Sequence, residues 1–295
     1  NHGKKTRTVN LIAGFMEPSD MTEIKRLASL MGVESILFPD TSNVLNGPMT
    51  GKYKMYPEGG VTVEQLKTTG RGCGSIALGE ICAGPAARAL DAKCKVPCTV
   101  LNLPLGLEDT DLFIDALHRM AGVYVPEEIN LERGQLMDAI SDWQQYFYGK
   151  RVALVGDPDQ LLALARFPTV LDMKPVYIVT GSPAGKKYEA ALVEAVSGVT
   201  DEIKIKVPGD MFLFHQWIKN EPVDLILGNT YCKYIARDED IPFVRMGFPI
   251  LDRMGHSYFS LMGYRGALRL MEKMLDALLD RKDRDSSDIN FELVL

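Results

Sequence analysis

Arg151-Val-Ala-Leu-Val155, followed at once by Gly156-Asp-Pro-Asp159, decides the reading of this chain. A short apolar run closed by Gly is the pattern of a strand buried on both faces. Asp157 then reads as an N-cap, and Pro158 as the first helical residue, where a missing N–H costs nothing. A helix is predicted from there to about Leu171. Strand, tight turn and helix open a βαβ unit, which implies a parallel sheet.

Outward from that stretch the pattern repeats. Downstream, strands are predicted at Pro175–Val179, Ile203–Val207, Val223–Leu227 and Pro242–Met246. Helices fall between them, near Lys187–Val196, Met211–Lys219 and Tyr231. A last helix runs from Tyr264 to about Arg281 and leaves Lys282–Asp288 as a charged, mobile tail. Upstream, strands are predicted at Val9–Ala13, Ser35–Phe38, Ser75–Leu78 and Cys98–Leu101. The helices there are Ser19–Met31, Pro85–Cys94, Asp109–Ala121 and a short one after Thr62, where Thr62 and Gln65 fit a capping box. A long helix, Glu127–Tyr148, ends at Gly149, the usual residue past a helix C-terminus. The sequence therefore predicts an α/β fold of two Rossmann-like domains, parallel sheets flanked by helices, covering residues 1–148 and 149–295.

Composition narrows the function. The 295 residues are 46% hydrophobic and 24% charged, as in a globular protein with sizeable cores. A net charge of −6 argues against a nucleic-acid partner. No apolar run reaches about 18 residues, so no membrane span is expected. Cys73, Cys82, Cys94, Cys98 and Cys232 are few and odd in number, which points to reduced thiols in the cytoplasm. The first residues carry no signal-peptide core and no initiator Met, so a piece of a longer gene product is expected.

Open parallel sheets bind ligands beyond the carboxyl ends of their strands. Those turns offer Glu17 and Asp20 after the first strand and Asp157 and Asp159 after the fifth. Carboxylates there repel a phosphate, and Gly70-Arg-Gly-Cys-Gly74 precedes a strand instead of following one. Nucleotide binding is disfavoured, and Asp157, Ser19 and Asp20 read as helix caps. Of the histidines, His2, His118 and His215 carry no catalytic pattern. His256 sits in a loop after the last strand without a Ser or Cys nucleophile signature. Tyr53, Tyr56, Tyr258 and Tyr264, in loops or at a helix start, read as interfacial. Asp138 and Asp142 lie one turn apart on the long helix, away from the face of Ile140, Trp143 and Phe147. They are either a solvated acidic face or half of a site for a hard divalent cation. From its residues alone the chain holds no self-sufficient catalytic or cofactor site.

The segment between the second strand and Thr62 is too long for an ordinary connection. It reads Phe38-Pro-Asp-Thr-Ser42, Thr50-Gly-Lys-Tyr53, Met55-Tyr-Pro57 and Gly59-Gly60 before Thr62-Val-Glu64. With Glu17-Pro-Ser-Asp20, Gly156-Asp-Pro-Asp159, Gly228-Asn229, Arg245-Met-Gly-Phe-Pro-Ile-Leu-Asp-Arg253, Gly263-Tyr264 and Gly266-Ala267, it resembles the beta chains of nitrogenase molybdenum–iron proteins. The resemblance implies the second and third of three α/β domains. It implies a complex that reduces dinitrogen to ammonia with electrons from an ATP-driven iron protein. It places the eight-iron P-cluster on cysteines upstream of this chain, none matched here, and the iron–molybdenum cofactor in a partner alpha chain. The loop Met246-Gly-Phe-Pro249 lacks the histidine that holds that cofactor in the alpha chain. Partners so implied are the alpha chain, a second beta chain in an α2β2 tetramer and the iron protein. Asp138 and Asp142 match part of a divalent-metal site between the two beta chains. The run Gly255-His-Ser-Tyr258 departs from the His-rich run common in the family. The alternatives are a cofactor-assembly scaffold subunit of the same fold and a nucleotide-dependent α/β enzyme.

Overall fold

The computed structural model describes residues 4–287. Among them, one sheet is built from β1 (Val9–Ile12), β2 (Ser35–Phe38), β3 (Gly74–Leu78) and β4 (Cys98–Leu101). Its strands are all parallel, in the order β2-β1-β3-β4. A second parallel sheet takes β5 (Arg151–Val155), β6 (Lys174–Val179), β7 (Lys204–Lys206), β8 (Leu225–Gly228) and β9 (Phe243–Arg245), in the order β7-β6-β5-β8-β9. The predicted fold class holds, because most strands are short apolar runs that only a sheet covered on both faces can bury; the edge strand β7 keeps both its lysines exposed. The buried pattern of β1 and the near-complete burial of β5 show it directly.

The crossovers are α1 (Pro18–Leu30), α2 (Val63–Thr68), α3 (Gly84–Cys94), α4 (Gly106–Ala121), α5 (Glu127–Phe147), α6 (Pro158–Val170), α7 (Lys186–Ala195), α8 (Met211–Asn220), α9 (Cys232–Asp238) and α10 (Gly263–Asp285). Thr62 and Gln65 form the predicted capping box on α2, with Gln65 N–H donating to Thr62 Oγ1 at 3.1 Å. The end of α10 differs from expectation. The helix continues to Asp285, because Arg284 reaches Asp240 at 2.7 and 2.8 Å and Arg281 pairs with the same carboxylate. The described part of the expected tail, Lys282–Ser287, is thus mostly helix, while Asp288 lies outside the described residues.

One buried cluster runs through both halves. It joins Leu11, Ile24 and Phe113 to Leu154, Leu164 and Phe167, and to Leu270 and Met274 of α10. The last helix therefore returns to pack on α4 and α5, giving both sheets a shared core. The far face of the second sheet has its own cluster around Val155, Tyr177, Phe214 and Ile226.

Candidate functional site

Strand order reverses between β1 and β3 in the first sheet and between β5 and β8 in the second. Ligand crevices of open sheets lie at such points. Here the two crevices face each other. Asp159, in the first turn of α6, accepts the backbone N–H of Ile81 at 3.0 Å and of Cys82 at 2.8 Å, just beyond β3. The Phe15 and Phe248 rings meet edge to face, 4.8 Å between centroids. Asp20 accepts Ser260 Oγ at 2.8 Å and Leu261 N–H at 2.9 Å. Ser19 Oγ donates to the His256 carbonyl at 2.6 Å.

These contacts change how Asp157 and Ser19 are read and keep Asp20 as a capping residue of α1. Asp157 stands at the N-cap of α6, but its carboxylate makes no capping bond. Ser19 is not a cap and ties α1 to the 246–262 loop instead. Glu17 is the N-cap of α1, and its N–H donates to Asp20 Oδ2 at 3.4 Å. Burial raises the pKa of Glu17, with Asp20 adding to it. Burial also raises Asp20, against the hydrogen bonds from Leu261 and Ser260, and raises Asp157 with help from Asp159. Between these turns lies an apolar cavity of about 270 Å³, walled by Phe15, Met16, Met21, Leu45 and Phe248. In the crevice Asp20 and Asp159 are already bonded to backbone and the wall is apolar, which suits structural coupling and not phosphate binding.

The long loop is pinned at its base and free at its tip. Asp40 accepts Lys25 Nζ at 2.7 Å, and Ser42 through both its N–H and its Oγ at 2.9 and 2.6 Å. Gly60 N–H donates to the Ser42 carbonyl at 2.9 Å. Beyond that clasp Met49, Tyr53, Met55 and Tyr56 stand exposed. The Phe-Pro-Asp-Thr-Ser motif carries the clasp, though spacing alone could not name Lys25 as its partner.

Asp138 and Asp142 are both exposed on α5, one turn apart. No third His, Cys, Asp or Glu joins them to form a cation-holding group among the described residues. His118 closes α4 by bonding the Val123 carbonyl through Nδ1, and His215 pairs with Glu239 at 2.7 Å. His2 lies outside the described residues. Tyr53, Tyr56 and Tyr258 are exposed, but Tyr264 is buried at 1% exposure and donates to Asp111 Oδ1 at 2.6 Å. The interfacial reading of Tyr264 is therefore corrected: the first turn of α10 faces the core, not solvent. The cysteines are unpaired; burial pushes the Cys232 thiol up to about 12 and, with Asp159, that of Cys82 up to about 11. Neither environment favours a metal-binding thiolate. Residues that sequence reasoning left without a role are Arg245 and Asp252. They form a two-pronged ion pair at 3.0 and 2.8 Å, joined by Thr230 at 2.9 Å, and Arg245 holds Asp252 well below the usual carboxylate range.

The family model of nitrogenase component 1 type oxidoreductases matches residues 1–279. The chain belongs to this family. It is 50% identical over its whole length to the nitrogenase molybdenum–iron protein beta chain of Clostridium pasteurianum, covering 64% of that protein. The beta chain of Frankia alni is 37% identical over 97% of this chain and 54% of its own length. A solved chain of nitrogenase Cp1 at pH 6.5 superposes with a TM-score of 0.98 at 49% identity, over all of this chain and 64% of that one. A second solved chain, from nitrogenase Cp1 at pH 5, matches at TM-score 0.69 and 11% identity, over 98% of this chain and 60% of its own, and shows the fold alone. This chain thus spans between 54% and 64% of these relatives' own length, and the family resemblance read from the sequence is correct.

Proposed function

We propose that these residues are the scaffold and interface part of a molybdenum–iron nitrogenase beta subunit. The observation that carries the reading is similarity to beta chains along the whole of this chain, joined to a switch-point crevice in which Asp20 and Asp159 are spent on the protein's own backbone. The activity then belongs to the whole complex: reduction of dinitrogen to ammonia with electrons from the ATP-driven iron protein. The division into units 1–148 and 149–295 follows the two sheets, with α10 locking them together.

The cofactors are assigned by fit. An eight-iron P-cluster needs several thiolates converging on one point, and the described cysteines provide no such group. Its ligands lie outside this chain in the proposed assembly, and the iron–molybdenum cofactor lies in the alpha chain. Asp138 and Asp142 do fit a hard cation as a partial ligand set, since such ions take about six to eight oxygens. The remaining oxygens would come from a second beta chain across the interface of an α2β2 tetramer.

The test is metal content and visible absorption of the full-length gene product, purified with whatever binds it. A tetramer rich in iron and molybdenum is the expected result. A metal-free protein with bound nucleotide would overturn the proposal.

A further inference from the structure

A cavity of about 300 Å³ lies between the edge strand β9, the 250–261 loop and the middle of α10. It shares no wall residue with the apolar cavity between the turns, although the backbone of His256 and Leu261 also bonds Ser19 and Asp20. Three nitrogen-bearing side chains in its wall have no hydrogen-bond partner among the described residues. The His256 ring exposes a buried Nδ1 without a partner. Arg269 has a buried, unbonded Nε, and its nearest carboxylate, Glu272, is 3.6 Å away. Lys273 is half-buried and forms no ion pair among the described residues.

A buried polar atom without a hydrogen-bond partner is costly. Two such atoms in one wall, His256 Nδ1 and Arg269 Nε, with the half-buried Lys273 ammonium beside them, ask for a partner that fills the cavity. The surrounding charges agree. Arg245 is neutralised by Asp252, and Asp276 and Asp280 stand exposed at the cavity's edge. The field at Lys273 is nonetheless positive on balance: burial lowers its pKa first, and Arg269 and Arg245 lower it further against Glu272. The remaining wall is apolar. It includes Met254, Leu261 and Phe259, whose ring already carries the Arg269 guanidinium at 4.7 Å.

We propose that this cavity binds a small organic oxyanion, its carboxylate or phosphate head held by Arg269, Lys273 and His256, and its apolar body laid against Met254, Phe259 and Leu261. The apolar wall is what selects an organic anion over a bare inorganic one. The volume is at the low end of ligand pockets, which restricts the body to about one ring.

The experiment is calorimetric titration of the full-length protein, in complex with its natural partners, with benzoate, phenyl phosphate and inorganic phosphate. Both organic probes are expected to bind, and inorganic phosphate to bind about tenfold more weakly or not at all. The tighter of the two organic probes identifies the head group. Arg269→Gln and Lys273→Gln should each weaken binding about tenfold, and His256→Gln should do so more mildly. Arg265→Gln is the control: it lies on the same helix, outside the cavity, 4.0 Å from Glu132. Thermal melts confirm that each variant is folded, and the variants that fold decide the matter. Binding unchanged in the folded variants, or absent for both organic probes, would overturn the proposal. Inorganic phosphate binding as tightly as phenyl phosphate would overturn the assignment of an organic ligand.

Discussion

Gly79 and Asp159 touch across the boundary between the two sheets. A Cβ built on Gly79 would lie 2.6 Å from the Asp159 Cγ, and Gly79 itself has φ +105°, a backbone region that side chains rarely adopt. The glycine at the end of β3 is thus what lets the carboxylate of α6 reach the N–H groups of Ile81 and Cys82. Gly79→Ala should destabilise the protein by about 2 kcal/mol or more, from backbone strain plus the clash. In an Asp159→Ala background the contacts with Oδ2 and Cγ disappear and only the Cβ contact at 3.0 Å remains, so the same glycine change should cost measurably less. A double-mutant cycle from denaturant midpoints reads the coupling, and strict additivity would show that the two residues do not depend on each other.

Asp109 gives the molecule a pH dependence of a definite sign. It is buried in the first turn of α4, and burial pushes its pKa up to about 6, against the pull of Arg166 and Asn102. The folded state therefore holds this proton more tightly than the unfolded chain, whose value is 3.8. The cost is absent below about pH 4 and complete above about pH 6, so stability falls as pH rises through that window, by no more than about 3 kcal/mol. Asp109→Asn keeps an acceptor for Asn102 and should flatten this part of the stability–pH curve. An unchanged slope in the variant would assign the dependence to other groups.

Tyr264 shows where sequence reading stops. The alternation of strands and helices was legible because most strands are short apolar runs and several helix starts carry their own signal, as at Asp157-Pro158 and Thr62-Gln65. The partner of a side chain 153 positions away was not legible: nothing near Tyr264 names Asp111. The same holds for Asp20 with Leu261 and for Asp159 with Cys82, since chain-local pattern says which face is buried but not what meets it. Family resemblance supplied the assignment of the chain, because motifs such as Phe38–Ser42 and Arg245–Arg253 hold pins specific to this architecture.

Tyr264→Phe tests the corrected role. The phenol donates to a carboxylate that Arg133 also grips at 2.9 Å, so its loss removes a hydrogen bond to a charged acceptor. The expected cost is about 1.5–3 kcal/mol, read from the denaturant midpoint. Tyr264→Ala should cost more, about 3–5 kcal/mol, through the cavity left between α10 and α4. An interfacial tyrosine would give the opposite pattern, a small effect on folding and a large one on association.

The cation proposal makes its own prediction in the intact assembly. Asp138→Asn and Asp142→Asn each remove one charged oxygen from a ligand set that a hard cation needs. Calcium-class metal per beta chain should fall, while iron and molybdenum content stays constant. Loss of iron in step with the divalent ion would point to a general assembly defect instead of a site.

The exposed tip of the long loop sets the behaviour of residues 1–295 produced alone. Met49 and Tyr53 are 97% and 89% exposed, and Met55 and Tyr56 accompany them on the same clasped loop. Large apolar groups gathered on one exposed loop tip form an association surface. The isolated chain should therefore self-associate with rising concentration in analytical ultracentrifugation. Replacing Met49, Tyr53 and Tyr56 together by Ser should shift it toward monomer with no change in melting temperature, since none of the three packs in a core. A triple variant that associates as strongly as the parent would move the association surface elsewhere, with Phe15 and Phe248 at the mouth of the crevice the next residues to exchange.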